Sequence, residues 1–197
     1  MKRLGAEDVV GNIVDVRAHA GFSVKSFANC EYPYGQTIEG LAYKHAANGV
    51  DFGVVFPFVP ELYFDLHTAA RTGELRETGR PISASPYELE NRMLFAEIFE
   101  YCPELAERFL PFVCIDPMRK TEAQRAAISA LESKYPVNGM KLSPVLYQAP
   151  VSRLLGPGSV LLDHAATHAY PIIVHTTVHP DKSLPGELSQ SIHLQHG

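Results

Sequence analysis

Tryptophan is missing from the 197 residues, and cysteine is nearly so. Cys30, Cys102 and Cys114 are odd in number, far apart and without a Cys-x-x-Cys pair, which excludes a disulfide framework or a thiolate zinc site as the organising feature. No run approaches the roughly 18 apolar residues of a membrane span. The opening MKRLGAEDVV has no apolar core of the signal-peptide kind, so the chain reads as cytoplasmic. Lysines and arginines form no cluster and the formal net charge is −5; neither nucleic acid nor an anionic membrane is the expected partner. A Gly-rich turn behind the first strand, a phosphate loop and a serine elbow are all lacking, which sets aside a dinucleotide fold, nucleotide hydrolysis and acyl transfer through serine. What remains, 46% hydrophobic and 20% charged residues, suffices for one domain over 1–197 acting on a small molecule.

The most telling stretch is GNIVDVRAHAG, residues 11–21. Ile13, Val14 and Val16 start a strand, and period-two alternation predicts that Asp15, Arg17 and His19 share one face at its carboxyl end. Thr37 caps a helix with Ile38, Leu41, Ala42 and His45 at helical spacing, stopped by Asn48-Gly49. VDFGVVFP (50–57) follows as a buried strand. Residues 58–85 are a long irregular insertion, read as a lid or an oligomer contact. Ser85, Pro86 and Glu88 then signal a helix start by capping box. FLPFVCI (109–115) is the third strand. Thr121 and Gln124 form a second capping box, VNGMKL (137–142) the fourth strand, 160–169 a helix and PIIVH (171–175) the fifth strand. This recurrence of strand and helix predicts a parallel sheet.

Two strands end in histidine, His19 and His175. Neutral imidazoles converging at the mouth of a parallel barrel can hold a divalent cation that activates water. Lys141 closes the fourth strand, where an ammonium can bind a substrate carboxylate. His164 and His168 stand at i, i+4 on a helix, a ligand-like spacing that on an outer helix more often marks a packed or solvated face.

The ordered set IVDVRAHAG, GVDFGVVFPF, NRMLFAEIF through ERFLPFVCIDP, NGMKLSP and YPIIVHTT resembles the amidohydrolase-related metal-dependent hydrolases and decarboxylases. The resemblance implies a (β/α)8 TIM barrel, here incomplete with about five to six βα units. It implies a divalent metal, zinc foremost, on His19 and His175; His175 and Lys141 as catalytic groups; and Arg17 and Lys141 on the substrate of a small organic acid. Arg17 stands where the family has its first ligand histidine, and a guanidinium offers no lone pair to a cation. Two alternatives follow: a metal-free lactonase using Arg17 on an anionic substrate, or a non-catalytic relative acting through homo-oligomerisation at an open sheet edge.

Overall fold

The computed structural model describes residues 10–22, 35–58, 61–144 and 148–176. Six strands form one sheet in the order β2-β1-β3-β4-β5-β6: β1 Val14–Phe22, β2 Gly35–Gln36, β3 Phe52–Pro57, β4 Phe109–Ile115, β5 Gly139–Leu142 and β6 Ile172–Val174. All neighbours run parallel except β2, which pairs antiparallel with the end of β1 through Gly21 and Phe22. The helices are α1 Ile38–Ala47, α2 Leu66–Thr72, α3 Glu88–Ala96, α4 Thr121–Glu132 and α5 Ser159–Thr167.

The expectation of a (β/α)8 barrel is corrected by this sheet. Closure requires the first strand to pair with the last. Here β1 is flanked by β3 and β2, and β6 pairs only with β5 among the described strands. The sheet is open and mixed, so the barrel architecture that the amidohydrolase-related resemblance implied is not that of this chain. The sheet is nonetheless strongly curled. Arg17 on β1 reaches His175 behind β6, although β3, β4 and β5 lie between those strands in the hydrogen-bonding order.

The helix-covered face carries the larger core, with Ala18, Ala20, Val55, Val113, Ile115, Met140 and Leu142 from the strands and Leu41, Leu94, Ile98, Ile128 and Leu161 from the chain crossing over them. The opposite face holds Val54, Phe56, Phe112 and Cys114, covered by Tyr63, Phe64 and Tyr87. The described part of the 58–85 segment, from residue 61 on, is therefore less irregular than expected. Within them Asp65 caps α2 by accepting from the Thr68 amide at 2.9 Å, Phe64 bridges to Glu77, and the aromatic side chains Tyr63 and Phe64 roof the second face.

Local capping is also revised. Thr37 caps α1 as its sequence predicts, accepting from the Gly40 amide at 3.0 Å. Ser85 does not cap α3: the Glu88 carboxylate reaches back to the Ala84 amide at 2.9 Å, while Ser85 Oγ is buried without a partner. Gln124 does not complete a box with Thr121 either. It turns inward and clamps the loop behind β4, accepting from the Asp116 amide at 2.9 Å and donating to the Asp116 carbonyl at 2.7 Å.

Candidate functional site

A bulge in β1 decides which polar residues meet. The register against β3 pairs Asp15 with Gly53 and Ala18 with Val55, so three residues on β1 span what two span on β3 and the alternation slips by one. Asp15 and Ala18 consequently share the helix-covered face. Asp15 contacts His45 of α1 at 3.1 Å, while Arg17 and His19 point to the other side. The expected Asp15, Arg17 and His19 triplet is thus split, and Asp15 serves as a strand-to-helix tie.

On the second face Arg17, His19, Lys141 and His175 converge at the carboxyl ends of β1, β5 and β6. Arg17 Nη2 lies 3.4 Å from Nδ1 and 3.2 Å from Nε2 of His175. His19 donates from Nδ1 to the Pro57 carbonyl at 3.2 Å, which leaves the lone pair on Nε2. Its ring rests on the edge of Phe56 at 4.9 Å between centroids and beside Phe58 at 5.6 Å. Lys141 is 2% exposed, with Nζ 4.5 Å above the Phe56 ring. Among the described residues no carboxylate pairs with it.

Burial lowers the pKa of all three titratable members. For His19, burial outweighs the Pro57 contact that opposes it, and Lys141 and Arg17 push the same way as burial. For His175 the further causes are Arg17, Lys141 and His19. Lys141 is lowered by burial and Arg17, with the Cys114 thiol acting the other way. The two histidines are therefore neutral near pH 7, and Arg17 and Lys141 make the site a small field of positive charge in which, among the described residues, no carboxylate pairs with Lys141.

That field corrects the zinc expectation. A guanidinium within 3.4 Å of both ring nitrogens of His175 occupies the approach a ligated dication would need, and Lys141 and Arg17 would repel it. The described residues that could hold a divalent cation lie elsewhere. Glu132, His164 and His168 place their ligand atoms within 4.8 Å of one another, on α4, on α5 and just beyond it. His168 Nδ1 donates to the His164 carbonyl at 2.9 Å, and His164 Nε2 stands 2.8 Å from Glu132 Oε1. The latter contact is already a complete hydrogen bond joining two helices, and nothing in it points to zinc.

Sequence reasoning missed the residues around the cluster. Cys114 is buried, its thiol pushed up by burial, and its backbone is held on both sides by Asn91 at 2.9 and 3.0 Å. Asp116 ends β4, bonded to Arg119 Nη1 at 2.6 Å; burial raises its pKa against the pull of that guanidinium. Arg119 also lies over the Phe64 ring at 5.2 Å, fastening the 58–85 segment to the strand end. An aspartate directly after an apolar strand is the signal the sequence offers for it. A roomy cavity of about 720 Å³ lies to one side, bounded by Ala20, Pro57, Met93 and Tyr101; none of the four cluster residues lines it.

No protein-family model matches the sequence, and no curated protein matches it, so the amidohydrolase-related membership suggested by the motifs has no support at that level. Solved structures are similar in fold, two of them as follows. One is 2,6-dihydroxybenzoate decarboxylase complexed with 2,6-dihydroxybenzoate, at a TM-score of 0.51 and 15% identity over 94% of this chain and 55% of that one. The other is Metarhizium anisopliae IDCase in apo form, at 0.50 and 15% over 95% of this chain and 55% of that one. The chain thus spans about half the length of these structures. At such identity the likeness is one of fold alone.

Proposed function

We propose that the cluster binds the carboxylate of a small organic acid through Arg17 and Lys141, and that its chemistry on that acid proceeds without a metal between His19 and His175. The observation carrying this reading is the buried Lys141, which has no carboxylate partner among the described residues, beside a guanidinium and two neutral imidazoles. Buried cations require a counter-charge, and an anionic ligand supplies it. Arg17 can grip a carboxylate with its planar fork. His19, with its proton fixed on Nδ1 and its lone pair on Nε2, is placed to take a proton from water, and the Lys141 ammonium to stabilise the oxyanion that forms.

This arrangement suits metal-independent hydrolysis of a small ester or lactone bearing an acid group. The similarity in fold to a structure holding 2,6-dihydroxybenzoate makes aromatic acids the second class to assay. Turnover of carboxylated lactones and of aromatic acids is expected to persist in excess chelator. Arg17→Ala should lower kcat/KM by about 10²-fold or more through lost charge-assisted hydrogen bonds. Release of carbon dioxide in place of a hydrolysis product would assign the same site to decarboxylation. Activity that disappears with chelator and returns with added cation would overturn the metal-free reading.

A further inference from the structure

We propose that Glu132, His164 and His168 form a site for a late first-row divalent cation, which clasps α4 to the turn between α5 and β6. The claim is independent of the acid-binding reading: α5 packs on the helix-covered face through Leu161 and Ala165, and the Arg17 cluster lies on the other face of the sheet. Glu132 is the last residue of α4, His164 lies within α5 and His168 is its C-cap. Their ligand atoms lie within 4.8 Å of one another.

Three observations set this group apart from an ordinary tie between helices. First, each oxygen of one carboxylate faces its own imidazole: Oε1 is 2.8 Å from His164 Nε2 and Oε2 is 4.0 Å from His168 Nε2. A tie needs only the first of these. Second, the His168 tautomer is fixed. A carbonyl can only accept, so Nδ1, 2.9 Å from the His164 carbonyl oxygen, carries the proton and Nε2 the lone pair; backbone bonds of this kind orient histidines that ligate metals. Third, the ring is held in place. It stacks on His164 at 4.2 Å and on Tyr170 at 5.4 Å between centroids. Tyr170 is itself fixed by the turn, because Ala169 at φ 51° sends its own amide to the Ala166 carbonyl and that of Tyr170 to the Ala165 carbonyl, at 3.2 and 2.8 Å, a Schellman ending of α5.

Bonds of about 2.0–2.2 Å from cation to nitrogen and oxygen bring neighbouring ligand atoms to about 3–3.5 Å apart, so the site closes by shifts of about 1 Å. His168, with 40% of its side chain exposed, has the room to make them. A cleft of about 540 Å³ bordered by Glu132, Lys134, His168 and Tyr170 has space for the water that completes the shell. The cation takes the place of the proton between His164 Nε2 and Glu132, and the imidazole keeps its proton on Nδ1. Two imidazoles with one carboxylate favour nickel, copper or zinc over magnesium and calcium, which prefer oxygen throughout. The donors single out none of the three.

The test titrates the full chain, stripped by chelator and desalted, with nickel chloride in a calorimeter, alongside His168→Gln. That variant keeps the His164–Glu132 bond, so its metal-free melting temperature should match that of the parent chain. Saturable nickel binding is expected, weakened about tenfold or more in His168→Gln, with no saturable heat from magnesium at the same concentration. In the parent chain, nickel should also slow modification of His168 by diethyl pyrocarbonate, mapped on peptides, and leave that of the exposed His67 unchanged. If the variant melts lower, this protection decides alone. Nickel binding that is absent, equally tight in a stable His168→Gln, or matched by magnesium overturns the inference, and so does nickel that leaves His168 unprotected.

Discussion

At the scale of single residues, the account turns on groups kept in their uncharged forms. The folded pKa values of His19 and His175 lie below 6.5, chiefly through burial, so just below pH 6.5 the unfolded chain binds more protons than the folded one. Stability is then full above 6.5 and is lost as pH falls from 6.5 through the folded values, beyond which the loss levels off. Asp116, raised by burial, contributes in the opposite sense on the alkaline side of 3.8. The urea midpoint should therefore fall between about pH 7 and pH 5, and His19→Gln should flatten that fall; parallel profiles for both proteins would contradict it. Much of this site was legible beforehand, because Arg17, His19, Lys141 and His175 stand at strand ends where polar residues are unusual. What one sequence could not carry was the guanidinium seated against His175, since that contact depends on the curl of a sheet with three strands between the two residues.

Elements were easier to read than their joints. The strand at Phe109–Ile115 and the helix at Thr121–Glu132 lie where periodicity put them, but Gln124 was assigned to a cap and instead holds the turn behind β4 from inside. Its replacement in Gln124→Ala leaves the Asp116 amide and carbonyl buried and unpaired, a loss of about 1–3 kcal/mol readable as a lower denaturation midpoint. Gly139 gives the complementary steric case. A Cβ there would lie 2.4 Å from Cε2 of Phe112, and that ring is itself packed in the second core. Gly139→Ala should cost about 1–3 kcal/mol by overpacking, and an unchanged midpoint would mean that the ring turns freely. The β1 bulge shows why Asp15 was misassigned: a one-residue slip exchanges faces, and alternation alone carries no sign of it.

Across the whole molecule, the alternation of strand and helix correctly implied parallel pairing but not closure, because the same alternation builds open and closed sheets alike. Among the described residues β6 has a partner on one side only. An uncovered edge of Ile172–Val174 favours pairing with another chain, and the expected outcome is an apparent mass that rises with protein concentration in sedimentation velocity; a constant monomer mass would show the edge to be covered. No described helix is long and apolar enough to cross a membrane, and a net charge of −5 surrounds a locally positive site. That contrast is the core of the functional account, and calorimetric titration of the full chain with benzoate and pyruvate in excess chelator addresses it most directly. Saturable binding at one site, weakened about tenfold or more by Arg17→Ala, is the predicted result. Binding that is absent, indifferent to Arg17, or seen only after a divalent cation is added would contradict it.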